Sequence, residues 1–431
     1  MDDCWGVRNN ETKEIEGDPE RFPEGMPAFI AKIHAMGFQF GLYTDIGTAG
    51  CHAPFVGSWP DYQKDANTFA SWNVDYVKFD GCDQPRVAMN ASTLTCNMSH
   101  ALNNTGRDMW LNFHCWHDEA CAECGNSFRI YNDHHDVWAS GGSSTTSVIK
   151  FLQNNRQDYW GADPTFGWPD PDFIYTGGQG CAPKGQHSAP GVRCPGQTET
   201  EYVSEYSIWA IAGGQMVLAT DPRNMTAFMR GVLLNKEVIA VFKDVSGFRS
   251  IKVLDVSATV PAAPATAAAV VAAGACTVAL KHQLSSATCT LGTSFGCYDG
   301  NNTMWTDHGC RGEFSCNADN LVSCDYTGPG RHNCECARPP PPSVSVWLRP
   351  LVGGGAAAVL FNPSEEDATI TVDFGAVPDR SWGAATQLLV RDLWALHDNG
   401  TATGSFATAH PVPPHGSVFL TLTPVAQEGS L

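Results

Sequence analysis

A chain of 431 residues is too long for one compact core, and 43% hydrophobic with 10% aromatic residues suits packed domains rather than disorder. The formal net charge of −19 excludes nucleic acid, whose binders need basic patches to displace counterions, and disfavours anionic membrane surfaces. A neutral or cationic small substrate remains compatible.

Met1 leads directly into Asp2-Asp3-Cys4-Trp5, with no basic or apolar leader. The cysteine count is seventeen, so one thiol lacks a partner. The expectation is an N-terminally truncated chain in which the partner of Cys4 belongs to the missing piece. From there to about residue 243, apolar runs rich in β-formers alternate with amphipathic stretches. Strands are predicted at Phe38–Tyr43, Val74–Phe79, Met109–Cys115 and Val217–Ala219. Helices are predicted at Pro27–Met36, Tyr62–Trp72, Thr93–Asn103, Ser147–Asn154 and Glu201–Ala212. This βαβα rhythm implies a parallel sheet with helices outside, either doubly wound or closed into a barrel. No glycine-rich phosphate loop follows a strand, which argues against a nucleotide.

From about Ser246 the pattern changes to short alternating strands, Ser343–Leu348, Ala356–Phe361, Thr369–Phe374 and Val418–Leu422, which read as an antiparallel sandwich. The boundaries that follow are 1–245 for the α/β segment and 246–431 for the sandwich, the latter interrupted by an insert at 258–342. That insert starts with an alanine-rich run near 260–280, too poor in large aliphatics and too rich in proline for a membrane span. It continues as a module holding Cys276, Cys289, Cys297, Cys310, Cys316, Cys324, Cys334 and Cys336, enough for four bridges of open connectivity. An exposed aromatic there, such as Trp305, could stack on a sugar ring, although aromatics in small modules more often form the core. A stiff Pro339–Pro342 spacer then rejoins the sandwich.

So many cysteines imply a disulfide framework, and sequons beginning at Asn10, Asn90, Asn97, Asn103, Asn224, Asn301 and Asn399 point the same way. Both place the chain in the secretory pathway, extracellular or lysosomal/vacuolar.

The chemistry gathers at strand ends. Tyr43-Thr44-Asp45, Lys78-Phe79-Asp80 and Tyr131-Asn132-Asp133 each turn from apolar to reactive, and barrel sites form where such ends converge. A single such Asp reads as a cap for the next helix. Asp80 and Asp133 each stand near a cation, Lys78 and Arg129, which helps keep a carboxylate ionised. Spacing alone does not single this pair out among the acidic residues.

The segments MDDCW, RFPEGMPAFIAKIHAMGFQFGLYTDIG, DYVKFDGC, RIYNDHHDVW, GWPDPDF and SIWAIAGGQMVLATDPR occur in that order, and SVWLRPL follows in the sandwich. Together they strongly resemble glycoside hydrolase family 27, the α-galactosidases and α-N-acetylgalactosaminidases. The resemblance implies a (β/α)8 TIM barrel, here lacking its first strand, followed by an antiparallel β-sandwich. It implies a retaining exo-glycosidase with Asp80 as nucleophile and Asp133 as acid/base, working without a cofactor or metal. Asp2, Asp3, Tyr43, Lys78, Arg129 and Asp172 match sugar-binding positions, and Cys51–Cys82 matches a disulfide between two site loops. The implied substrate is an α-galactoside of an oligosaccharide, glycolipid or glycoprotein, and the resemblance permits a homodimer.

One loop departs from the family. Cys115-Trp116-His117 stands where a Cys-Glu-Trp-like sequence senses the sugar's 2-substituent, so Trp116 leaves α-N-acetylgalactosaminidase and β-L-arabinopyranosidase as alternatives. A catalytically silent sugar-binding protein is the alternative of another class. His114, His117, Cys121 and Cys124 have zinc-like spacing, but an oxidising compartment favours Cys115 bridging Cys121 or Cys124. His134 and His135 read as structural or rim residues. Cys181 and Cys194 bound an inserted loop after Asp172 that is expected to overhang the site.

Overall fold

The computed structural model describes all residues except 53–54, 84–90, 115–123, 140–142, 155–166, 179–194, 245–250, 257–276, 299–302, 317–319, 325–329, 336–343 and 426–431. The chain divides into two units, Met1–Ser257 with Val344–Leu431, and Ala258–Ser343. The segments expected as barrel and sandwich therefore share the first unit.

In that unit a hairpin of β1 (Gly6–Arg8) and β2 (Ile15–Gly17) precedes α1 (Met26–Ala35). There follow β3 (Gly41–Asp45), α2 (Tyr62–Ser71), β4 (Tyr76–Asp80), α3 (Ala91–Asn103), β5 (Trp110–His114), β6 (Ser127–Arg129), α4 (Thr145–Asn154), β7 (Trp168–Asp170), α5 (Glu199–Ala212), α6 (Ala227–Leu233) and α7 (Lys236–Lys243). Strands β3 to β7 form one parallel sheet in chain order. Neighbours in sequence are neighbours in space, as in a (β/α) barrel; a doubly wound sheet would reverse order at a switch point. Beyond β7 a parallel bridge joins Ile174 to Leu218, which is all that remains of the strand expected at Val217–Ala219.

The predicted strands begin early by up to three residues, because the alternation of side chains, not the apolar run, sets the pairing. Val77 and Phe79 of β4 are buried toward the helices, while Tyr76, Lys78 and Asp80 share the other face. Pairing in register extends that face across the sheet. Tyr43, Lys78, Asn112, Ser127 and Trp168 form one row, and nearer the C-terminal ends Asp45 pairs with Asp80 while Arg129 pairs with both His114 and Asp170.

Helix α5 is buried along nearly its whole length, as expected of a helix covered on several sides. Its N-terminus is closed by a capping box between Thr198 and Glu201, and its C-terminus by Gly213 at φ 71°. Both ends of the helix reach the sandwich: Ser204 donates to the carbonyl of His415, and Arg349 Nη1 donates to the carbonyl of Ala210.

The chain continues through β8 (Lys252–Val256). The second unit holds β9 (Val278–Gln283), β10 (Phe295–Cys297), β11 (Thr303–Thr306), β12 (Gly312–Cys316), β13 (Asn320–Cys324) and β14 (His332–Glu335), arranged as two three-stranded sheets. Disulfides Cys289–Cys310 and Cys324–Cys334 staple it, and Cys297 and Cys316 are also disulfide-bonded; Cys276 and Cys336 lie outside the described residues. Trp305 is buried, and the Arg331 guanidinium lies 3.8 Å from its ring centroid. Of the two readings of Trp305, the core one agrees with this burial, and the ring is part of the module's own packing.

Strands β15 (Val344–Pro350), β16 (Ala356–Phe361), β17 (Thr371–Asp373), β18 (Gln387–Asp392), β19 (His397–Thr403), β20 (Ser405–Ala407) and β21 (Ser417–Pro424) complete the first unit. Six of its strands form an antiparallel sheet in the order β19-β18-β21-β16-β15-β8, and β17 pairs with β20. Every residue of β15 and β16 is buried, as in a sheet covered on both faces; β16 is apolar throughout, and β15 also buries Ser345 and Arg349.

Among the described residues no helix is long and apolar enough to cross a membrane. The alanine-rich run lies outside the described residues up to 276. The sequon asparagines Asn10, Asn97, Asn103, Asn224 and Asn399 are all exposed, and Asn90 and Asn301 lie outside the described residues.

Candidate active site

The C-terminal end of β4 delivers Asp80 to the barrel mouth. Tyr43 Oη donates to Asp80 Oδ2 at 3.1 Å, His114 Nδ1 lies 2.8 Å from Oδ1, and the Gly81 N–H also reaches Oδ1 at 2.8 Å. Burial alone would raise the Asp80 carboxyl. The hydrogen bond from His114 and the positive charge of Lys78 reverse that and hold it well below the usual carboxylate range. Burial and the surrounding carboxylates push the Tyr43 phenol far up, so it stays a proton donor.

A disulfide joins Cys51 and Cys82, the loops after β3 and β4. Asp45, fully buried, clasps the same loops: Oδ1 accepts the N–H groups of Gly47 and Asp83, and Oδ2 accepts that of Cys82. Burial pushes its carboxyl up to about 6 against those three donors. Asp83 returns the clasp by accepting from Thr48 and Ala49.

Contrary to expectation, Asp133 does not end a strand but lies four residues beyond β6 with its side chain 67% exposed. The polypeptide leaves the sheet after Arg129, so Asp133 reaches the mouth from a loop. Arg129, buried, holds Asp133 Oδ1 and Asp172 Oδ2 at 3.0 Å each. Burial works to raise both carboxyls. For exposed Asp133 the Arg129 charge wins and its carboxyl lies below the usual range, whereas for Asp172 burial wins and the carboxyl is raised.

Asp172 has φ 73°, a left-handed conformation unusual for a residue with a side chain. It is fixed from three sides: its N–H donates to Asp170 Oδ1, its carbonyl accepts Trp209 Nε1, and its carboxylate accepts the His134 N–H. His134 is a buried structural residue whose ring contacts the Phe173 carbonyl and Thr145 Oγ1.

Asp3 sits against the loop after β3. Its Oδ2 accepts the His52 N–H at 3.0 Å, and a Cβ on Gly50 would lie 2.7 Å from its Oδ1. Only a glycine allows that approach. Asp2 is exposed and accepts the Asp3 N–H. Cys4 is free, and its sulfur clusters with ligand atoms of Asp3 and His52.

The loop after β5 differs from expectation where it is described. Cys124 is bonded to Cys96 of α3, not to Cys115, because the chain returning toward β6 passes that helix. With Cys124 in a disulfide, the zinc-like set loses one of its four members. Cys115, Trp116, His117 and Cys121 lie outside the described residues, as do Cys181, Cys194 and the loop they bound.

Asp45 is expected only as a strand-end carboxylate and His114 only as a zinc-ligand candidate, and Asp170 is not singled out, so the contacts of these three residues around the site go beyond the sequence reading. The signal for them is the alternation shared by neighbouring strands. Asn112 pairs with Lys78, so the residue two further along β5 stands beside the residue two further along β4.

Comparison with known proteins follows the same division of the chain. The Alpha galactosidase A family model matches residues 1–244, more than half of the chain, and the Alpha galactosidase C-terminal beta sandwich domain matches 342–422. A family described only as a protein of unknown function matches 224–339. Alpha-galactosidase 2 of Arabidopsis thaliana is 32% identical over 259 residues, 59% of this chain and 59% of that protein. The chain thus spans less than two thirds of that relative's length in the matched stretch. A probable alpha-galactosidase of Dictyostelium discoideum is 26% identical over 429 residues, 98% of this chain and 82% of that protein. In fold the chain is similar to alpha-galactosidase I from Mortierella vinacea, with a TM-score of 0.65 at 20% identity over 99% of this chain and 87% of that one.

Proposed function

The chain belongs to the Alpha galactosidase A family, glycoside hydrolase family 27, and on that premise we propose that it is a retaining exo-glycosidase that releases terminal α-linked galactose by double displacement. The observation that carries the reading is Asp80: a carboxylate held ionised at a barrel strand end between a phenol and an imidazole. Such a group is a nucleophile in waiting.

In the first step Asp80 attacks the anomeric carbon while Asp133 protonates the departing glycosidic oxygen. In the second, Asp133 takes a proton from water, which attacks the same carbon and frees Asp80. The Arg129 ion pair favours the anionic form of Asp133 that the second step uses. Buried Arg129 and Asp172, together with Lys78, Asp2 and Asp3, supply donors and acceptors for the sugar hydroxyls. The substrate is the α-galactosyl end of an oligosaccharide, glycolipid or glycoprotein. The described disulfides fit an oxidising compartment, extracellular or lysosomal/vacuolar.

Hydrolysis of aryl α-galactoside, α-N-acetylgalactosaminide and β-L-arabinopyranoside, followed by NMR of the first-formed anomer, tests the reading. Asp80→Asn should abolish turnover and leave galactose binding largely intact. Near-parental rates in that variant, or an inverted product, would refute the mechanism.

A further inference from the structure

His114 ends β5 with its side chain 12% exposed, and its Nδ1 lies 2.8 Å from Asp80 Oδ1. The two oxygens of Asp80 have unlike surroundings. Among the described residues, Oδ1 has two nitrogen partners, the His114 ring and the Gly81 N–H, both at 2.8 Å. Among those residues Oδ2 accepts one longer bond, from Tyr43 at 3.1 Å, and its other neighbour, Cys51 Sγ at 3.7 Å, is spent in a disulfide and donates nothing.

We propose that His114 is a positioning residue that holds Oδ1 of Asp80 as the resting oxygen and leaves Oδ2 as the one that attacks. The inference deepens the retaining reading above and rests on it. A carboxylate that swivels about its last bond presents either oxygen to the sugar, and only one orientation is productive. Two nitrogen donors on Oδ1 remove that freedom. Oδ2 then uses a lone pair to bond the anomeric carbon as the glycosidic C–O bond breaks and the leaving oxygen takes the proton of Asp133. Oδ1 becomes the ester carbonyl oxygen and keeps both donors. When water attacks, its proton passes to Asp133, the ester C–O pair returns to Oδ2, and Asp80 is again a carboxylate held in the same orientation.

The placement is built into the fold rather than into a loop. The pairing of β4 with β5 puts Asn112 beside Lys78, and two residues on it puts His114 beside Asp80. Asp45 on β3, Lys78 on β4, Arg129 on β6 and Asp133 beyond it are the charged groups around this contact among the described residues, and Tyr43 faces it from β3. His114 also acts electrostatically on Asp133, so the test must separate the two carboxylates.

The experiment uses the 431-residue chain and the variants His114→Ala and His114→Asn, the latter because an asparagine amide presents an N–H close to where Nδ1 stood. Aryl α-galactosides with a 2,4-dinitrophenyl leaving group need no proton from Asp133, whereas phenyl and alkyl galactosides do. His114→Ala should lower kcat about tenfold or more on both kinds, with KM within about twofold, and His114→Asn should recover most of the loss. Parental rates on the dinitrophenyl substrate with losses confined to poor leaving groups would mean that His114 acts through Asp133, and the proposal is wrong. Carboxyl carbon-13 NMR supplies a readout independent of turnover, with the Asp80 signal assigned by its absence in Asp80→Asn. Its midpoint should rise by about one pH unit or more in His114→Ala and by less in His114→Asn. An unmoved midpoint overturns the positioning role even if none of the three sugars is hydrolysed, so failure of the glycosidase reading and failure of this one are told apart.

Discussion

Asp45 accepts the backbone N–H of Cys82 at 2.8 Å, tying the end of β3 to the turn that follows Asp80. The reverse tie is the Ile46 N–H on the Asp80 carbonyl at 2.9 Å. Asp80 is therefore fixed through its own backbone as well as through its side chain. Asp45→Asn keeps one oxygen but turns an amide NH2 toward a backbone donor, leaving a buried N–H without an acceptor. The expected cost is about 1–3 kcal/mol of stability, with kcat falling more than KM changes because the loop that orients Asp80 loosens. Chemical denaturation and aryl-galactoside kinetics on the same preparation check both halves.

Glu205 lies fully buried on α5, accepting Gln197 Nε2 at one oxygen and the Tyr175 N–H at the other, each at 3.1 Å. Burial pushes its carboxyl up from 4.5 to about 8. Between those values the folded protein holds a proton that the unfolded chain has lost, so stability falls as pH rises through that window and levels above it. Glu205→Gln does not titrate, but its NH2 replaces one of two accepting oxygens, a cost of about 1–3 kcal/mol that is the same at every pH. Its stability relative to the parent should start lower near pH 4.5 and improve by on the order of 1 kcal/mol per pH unit toward pH 8. Urea midpoints across that range measure the trend, and a constant difference between parent and variant would show that Glu205 is ionised in the fold.

Arg129 divides its charge between Asp133 and Asp172, 3.0 Å from each. Asp172→Asn removes one anion while keeping a residue type that tolerates φ 73°. Asp133 then faces the cation with less competition and its carboxyl falls further, which weakens it in the proposed role of acid. The loss in kcat/KM should be small for a dinitrophenyl galactoside and about tenfold or more for an alkyl galactoside. An equal loss on both would assign Asp172 to sugar binding alone.

How much of this site is legible without coordinates depends on where each residue's position is encoded. Tyr43, Lys78 and Asp80 lie in short strands whose β-rich composition and polar ends are local signals, and family resemblance names them as well. His114 carries no such signal. Its role comes from the alignment of β5 against β4, and next to Trp116, His117 and two downstream cysteines it reads more readily as a metal ligand. Cys124 is similar: its bond to Cys96 spans a helix and a strand, and sequence spacing favours the nearer Cys115. The barrel-sandwich arrangement is legible from the change of period near Ser246. The burial of α5 between the two is not, because its mixture of Tyr, Ser and Glu looks amphipathic until the partners of each polar group are known.

Two contacts join α7 to the segment at β18, and their burial predicts unlike energetics. Arg391 grips Glu237 with two bonds of 2.7 Å and Asp398 with one of 2.9 Å, but the pair is about one-third exposed. Solvent and salt screen such pairs, so Arg391→Gln should shift the unfolding midpoint little, and less in 0.5 M than in about 0.05 M salt. Asn235 is buried and does two jobs at once. Its Oδ1 caps α7 by accepting the N–H groups of Glu237 and Val238, and its Nδ2 donates to the Leu393 carbonyl at 2.8 Å. Asn235→Asp preserves the cap but sets a carboxylate oxygen against that carbonyl, whereas Asn235→Ala loses the cap and the bridge together. The expected order of stability is parent, then Asp, then Ala, with the alanine variant down by about 2–4 kcal/mol from a lost cap plus an unmade buried bond. An aspartate variant as stable as the parent would mean that the Leu393 bond contributes nothing and that the helix cap alone explains the residue.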